Sequence, residues 1–147
     1  MLNKLKSLVQ FYEDNYRHES LERFQFYEAY SFNGNVKINN IYIKNIWPES
    51  WEIGNTKGIY AIFHHEELLY IGKASQQPIG KRLSAHFQHS EDKSYARPTG
   101  GWSKDPTHFV AWGVPDDSFF EASSLEEFLI YNLKKYLPDN TVGKLCY

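Results

Sequence analysis

The chain has 147 residues, with 4 Trp, 11 Tyr and 10 Phe and a formal net charge of −2. That length fits one domain with a small appendage, the aromatic content argues against disorder, and the near-neutral balance argues against a protein that coats nucleic acid over its whole surface. A lone cysteine, Cys146, excludes an internal disulfide; no apolar run approaches the roughly 18 residues of a membrane span, and the first residues lack a secretory leader's apolar core, so a cytoplasmic protein is expected.

Leu2, Leu5, Leu8, Tyr12 and Tyr16 recur at helical spacing and predict an amphipathic first helix. Asn33-Gly34 reads as a hairpin turn between FYEAYSF and NVKINNIYI. Residues 1–56 are expected to form an accessory helix and strands packed on a second unit, residues 57–147. They contain no Cys/His spacing for a zinc finger.

GIYAIFHHEELLYIG, beginning at Gly58, alternates with period two around a polar turn and predicts a β-hairpin. A three-residue turn centred on His65 places Tyr60 opposite Tyr70. Ile59, Ala61, Phe63, Leu69 and Ile71 then face the core, and Gly58, Tyr60, Ile62, Leu68, Tyr70 and Gly72 share the other face. Two phenols bordered by two residues without side chains make a place to hold a water and a phosphate; cross-strand packing of the rings is the plainer alternative. Past the hairpin, Pro78 opens a predicted helix, PIGKRLSAHFQH, with Ile79, Leu83 and Phe87 buried and Arg82 and His86 one above the other on the adjoining edge. Arg offers a fork of donors suited to phosphate, and His transfers protons near neutrality. Residues 73–104 carry Lys73, Lys81, Arg82, Lys93, Arg97 and Lys104 against Glu91 and Asp92, a net of +4, where the rest of the chain sums to −6. Such a cluster can steer a polyanion to a site.

A third strand is predicted near His108 to Val114, between Pro106 and Pro115. SSLEEFLIYNLKKYL predicts a second helix whose apolar arc holds Leu125, Leu129, Leu133, Tyr136 and Leu137. Glu126 falls on that arc and Glu127 points outward. A carboxylate there needs a partner, which a divalent cation or a Ser123-x-x-Glu126 capping box could supply. Asn140 follows in a turn-prone Pro138-Asp139-Asn140 stop.

Taken together, these pieces resemble the GIY-YIG nuclease family, the catalytic-domain type of excision-repair incision nucleases and homing endonucleases. Gly58-Ile59-Tyr60 and Tyr70-Ile71-Gly72 match its two name motifs, Lys73 a lysine that often follows, Arg82 its helix arginine, His86 a histidine that some members place one turn later, and Leu125-Glu126-x-x-Leu129-Ile130 its glutamate motif. Asn140 stands where members carry an asparagine, although Asp139 replaces a preceding Tyr; the loop 90–106 fits no family motif. The resemblance implies an α+β fold with a small antiparallel sheet of about three strands flanked by helices. It implies a metal-dependent endonuclease that hydrolyses DNA, RNA being open as well, with one Mg²⁺ or Mn²⁺. Tyr60, Tyr70, Lys73, Arg82, His86, Glu126 and Asn140 would be catalytic, and Glu126 would hold the metal. Tyr60 would orient or deprotonate the attacking water, helped by positive charge nearby. Gly72, Lys73, Lys81, Arg82, Arg97 and Lys104 would line the nucleic-acid path, with no membrane partner and homodimerisation open. The alternative is a catalytically silent nucleic-acid- or protein-binding module that keeps the fold.

Overall fold

The computed structural model describes residues 1–32, 36–43, 52–89 and 96–140, the side chains of 52–53, 88–89 and 96–98 aside. The predicted turn at Asn33-Gly34, the charges of residues 91–93 and Cys146 lie outside the described residues. Among the described residues eight strands and three α-helices follow in chain order: α1 (Leu2–Tyr16), β1 (Gln25–Ser31), β2 (Lys37–Ile38), β3 (Ile41–Tyr42), β4 (Gly58–His64), β5 (Glu67–Ala74), α2 (Ile79–Ser84), β6 (Phe87–His89), β7 (Ala96–Pro98), β8 (His108–Gly113) and α3 (Glu121–Leu133). No helix among the described residues is long and apolar enough to cross a membrane.

The main sheet is antiparallel, in the order β1-β8-β4-β5. It has four strands where three were expected, because β1 pairs with β8 and not with the segment that follows it. β2 and β3 make a separate ribbon whose turn residues, Asn39 and Asn40, take φ of 53° and 65°, the left-handed pair that a two-residue hairpin needs.

Both faces of the sheet are buried, which corrects the expectation of one core face and one open face. Every residue of β4 from Gly58 to Phe63 is buried, since this strand has a neighbour on each side and packing above and below. On one face Ile59, Ala61, Phe63, Leu68 and Ile71 pack with Val110 and Trp112 under α1 and α3. On the other, Tyr60, Ile62 and Ala74 pack with Phe109, Ala111, Phe32, Phe87 and the Ile79 and Leu83 of α2.

The β4–β5 turn has two residues, His65 and Glu66, because His64 pairs with Glu67. Combined with a register shift further along the pair, this sets Tyr60 opposite Gly72 and Ile62 opposite Tyr70, so the predicted Tyr60–Tyr70 pairing is off by two residues. A register shift between Ile62 and Phe63 inserts one extra residue on β5 and turns Leu68 onto the α1/α3 face, opposite to its expected side.

α2 is shorter than its sequence pattern. It starts after Pro78 and buries Ile79 and Leu83, but ends at Ser84, with the N–H of His86 bonded to the Leu83 carbonyl at 2.9 Å. Phe87 is buried from a strand: its ring stacks on Phe32 at 4.1 Å while β6 pairs with β7, and this tertiary contact draws the chain out of the helix.

α3 begins at Glu121, two residues before the predicted start, and Leu125, Leu129, Leu133 and Leu137 are buried as expected. The Ser-x-x-Glu pair at its start is Ser118–Glu121, where the serine hydroxyl donates to the carboxylate at 2.6 Å. Ser123 and Glu126 lie inside the helix, which rules out the capping box between them. Arg17, at the end of α1, forks onto Glu121 at 2.5 and 3.0 Å and stacks on Phe24 at 4.1 Å, while Tyr12 donates to Ser124 at 2.7 Å. These contacts hold α1 against α3.

Candidate active site

The site begins with the closeness of two rings. Tyr60 on central β4 and Tyr70 on β5 point to the same face, one pair apart, with ring centroids 6.2 Å apart. Gly72 makes that arrangement possible: a Cβ there would stand 2.5 Å from Cζ and Oη of Tyr60 and 2.7 Å from Cε1 of Tyr70. Gly58 serves a different purpose, since a Cβ on it would meet the Trp112 carbonyl oxygen at 1.9 Å. The two glycines thus admit a phenol and a neighbouring strand, where the sequence suggested room for a ligand.

Tyr60 is fully buried, and its hydroxyl lies 2.9 Å from Nε2 of His86. His86 is half-buried in the turn after α2 and sits edge-on to both tyrosines. Burial, reinforced by the charge of Arg82, holds its pKa below the ordinary value and keeps it neutral at pH 7. In that state Nε2 can accept the Tyr60 proton. Burial, and then Tyr70, push the Tyr60 phenol well above its ordinary value; Arg82 opposes the shift and Glu126 adds to it. Tyr70 is raised by burial and by Glu126, again against Arg82. Desolvation outweighs the guanidinium at Tyr60, so any role as a base needs positive charge beyond that of Arg82.

Arg82 is exposed in the last turn of α2, and its charge acts on Tyr60, Tyr70, His86 and Glu126. Glu126 is half-buried on α3, and its carboxylate feels both the charge and the backbone of Lys73. Burial raises its pKa while Lys73 and Arg82 pull it back. Glu127 is exposed, as its position on the helix predicts.

Strand β5 is an edge strand, and several of its outward backbone groups find partners in the C-terminal part of the chain. Ile71 N–H donates to Oδ1 of Asn140 at 2.9 Å, and its carbonyl accepts from Nδ2 at 2.8 Å. The Leu69 carbonyl accepts from the Asp139 N–H at 3.1 Å. Asn140 is buried and engages each end of its amide in this clamp, so it fixes the strand between Tyr70 and Gly72.

The remaining predicted residues divide. The Lys73 ammonium turns toward α3 and donates to the Ser123 hydroxyl at 3.2 Å. Lys81 is exposed beside Arg82. Lys104 is ion-paired with Glu67 next to the hairpin turn, away from the phenols. Arg97 lies on β7, and its side chain is outside the described residues. The loop 90–106, which the sequence leaves open as a DNA-contacting loop or a family-neutral insertion, supplies one further neighbour: Trp102 is half-buried, with its ring 5.8 Å from Tyr70 and 5.7 Å from His86. An aromatic residue in a Gly-Gly-Trp loop with no repeating pattern carried no signal of that contact.

A single carboxylate suits a cation that keeps most of its water and takes further oxygen ligands from a phosphate. Glu126 fits that use: its half-buried charge is incompletely offset, as its raised pKa records, and a divalent ion would offset it further. Among the described residues no three His, Cys, Asp or Glu side chains cluster as a metal cage, so Glu126 would hold the ion with water and substrate.

Antiparallel sheet, paired phenols, helix arginine and helix glutamate define a small α+β protein with a nuclease-type site. The GIY-YIG catalytic domain matches residues 56–140, more than half of the chain, and the chain belongs to that family. No curated protein and no solved structure matches it.

Proposed function

We propose that this chain is an endonuclease that hydrolyses a phosphodiester bond of DNA with one Mg²⁺ or Mn²⁺ held at Glu126. The observation that carries the reading is the shared surroundings of the two phenols: Tyr60 is hydrogen-bonded to His86, and the charges of Arg82 and Glu126 both act on Tyr60 and Tyr70. A module that only binds has no need of all four chemistries in one place.

The bound metal would draw charge from a phosphate oxygen. Arg82 supplies donors to the oxygens that gain charge as the phosphorus centre is attacked. A water adds to phosphorus and gives its proton to the Tyr60 oxygen while the Tyr60 proton passes to Nε2 of His86; the bond to the leaving sugar oxygen breaks, and that oxygen takes a proton from solvent. Handing the proton on suits a phenol whose own ionisation is suppressed by burial better than acting as a standing phenolate. Tyr70 borders the phosphate, and Asn140 keeps β5 in register.

Full burial of Tyr60 is the observation that favours the alternative, a catalytically silent binding module. Plasmid nicking with Mg²⁺ or Mn²⁺ separates the two. Cleavage that needs the metal, is lost by at least about 100-fold in Glu126→Ala and persists in Glu127→Ala supports the nuclease. Binding without cleavage on any substrate supports the silent module.

A further inference from the structure

We infer that Trp102 is a substrate-contacting residue: it forms a platform for a nucleobase lifted out of its stack beside the phosphate that is cut, and Asp139 is the positioning residue that holds it there. The inference rests on the nuclease reading above and narrows its substrate to a strand with an unpaired base at the cleavage point.

The loop that carries Trp102 is pinned to the site at both ends. At one end the backbone N–H and the hydroxyl of Thr99 both donate to the His86 carbonyl, at 3.0 and 2.9 Å. At the other, the backbone N–H and the hydroxyl of Ser103 both donate to the Asp139 carboxylate, each at 2.9 Å. Asp139 is in turn bonded through its own N–H to Leu69 of β5, next to the Asn140 clamp on Ile71. Five residues are thus stapled from the proton-accepting histidine to the strand that carries Tyr70. The indole lies nearly parallel to Phe87, at 6.0 Å and 15°, and meets Tyr70 edge-on at 81°.

The chemistry of the loop selects what it can hold. Thr99, Gly100, Gly101, Trp102 and Ser103 carry no charge, and the hydroxyls of Thr99 and Ser103 are engaged by the staples, so the indole is the loop's distinctive group. Gly100 and Gly101 have open space where a side chain would stand. The half-buried indole stands 5.8 Å from Tyr70 and 5.7 Å from His86, within reach of a base whose phosphate is held at those residues. A flat, uncharged aromatic surface there receives a flat base, and it does so without reading which base. A base stacked and paired inside a duplex is not available to it, hence the unpaired nucleotide.

The test uses the full chain on labelled oligonucleotides that are plain duplex or carry a flap or bulge, with single abasic positions scanned across the cut. Expected are a preference for the unpaired substrates and a loss of about 5- to 150-fold in kcat/KM for Trp102→Ala, the range of one base–aromatic stack. Trp102→Phe should recover most of that loss. One abasic position beside the cut should cost the wild-type protein a similar factor and cost Trp102→Ala nothing more. Asp139→Asn should show its loss mainly as a raised KM. Independent, multiplying losses, or no sensitive abasic position in the wild-type protein, would overturn the platform while leaving the nuclease standing. Because the abasic scan reads the native protein, it decides the matter even where a Trp102 variant folds poorly. A wild-type chain that cuts nothing with either metal sinks the nuclease reading itself.

Discussion

Gly72 shows how much one missing side chain can decide. Its backbone shares a pairing step with Tyr60, and the phenol occupies the space that any other residue's Cβ would need. The ring cannot swing aside, because Tyr60 is fully buried among Ile62, Ile79, Leu83 and Phe109. Gly72→Ala should therefore cost about 1–3 kcal/mol, the range for overpacking a filled core, and should separate Tyr60 from Tyr70 and His86. Chemical denaturation would read the first effect and cleavage the second. A variant that keeps wild-type cleavage would mean that the phenols need not converge. The residue scale also shows what spacing leaves out. A two-residue turn in place of three, together with the extra β5 residue at the register shift, moves Tyr60 from Tyr70 to Gly72, and the sequence states neither the turn nor the bulge.

At the scale of elements, β5 joins parts of the candidate site that lie far apart along the chain. An edge strand presents unpaired N–H and C=O groups. Here Asp139 and Asn140, both C-terminal, supply partners for Leu69 and Ile71, and Glu126 on α3 lies close enough to Lys73 to feel its charge. The same contacts that protect the edge bring the α3 carboxylate beside the phenols. Asn140→Ala leaves both groups of Ile71 without their partner and should cost about 1–3 kcal/mol, with faster amide exchange at Ile71 and the neighbouring β5 amides than elsewhere in the sheet. Unchanged exchange at those amides would remove the clamp from the account. Such a role was not legible in sequence, where Asn140 reads equally as a loop residue or as a ligand. The shortened α2 has a similar cause: its pattern continues to Phe87, but packing against Phe32 placed that ring better from a strand.

At the scale of the whole molecule, buried titratable groups tie stability to pH. His108 is buried at the start of β8, stacked on Phe63 at 5.2 Å with Nδ1 2.9 Å from the Thr107 hydroxyl. Burial, with a contribution from His65, lowers its pKa from 6.5 to about 4. The folded state thus holds His108 neutral where the unfolded chain would protonate it. Its contribution is present above pH 6.5 and is lost as pH falls toward 4, by about 3 kcal/mol in all. Glu121 acts lower on the scale: burial raises its pKa, but hydrogen bonds from Arg17 and Ser118 prevail and hold it below 4.5, so its contribution is lost only in more acid solution. Thermal melts from pH 7 to 4 should show falling stability that is markedly flattened in His108→Phe, which keeps the stacking ring and removes the proton site. An equal slope in that variant would place the acid sensitivity elsewhere.

How far the sequence could be read follows from the range of the forces involved. Periodicity and local chemistry determined α1, the β4–β5 hairpin, β8, the apolar face of α3 and the inward placement of Glu126 relative to Glu127, because each depends on neighbours within a turn or a strand pair; the family was legible from resemblance to its motifs. Tertiary structure alone decided the fourth strand, the burial of both sheet faces, the edge clamp of Asn140, the Arg17–Glu121 link and the closeness of Trp102 to Tyr70. All of these join residues distant in sequence, and only the folded chain brings them near enough for a hydrogen bond or a ring contact to form. Desolvation belongs with them: the phenol that the hairpin spacing marks as a candidate base has its ionisation suppressed once the sheet has closed over it.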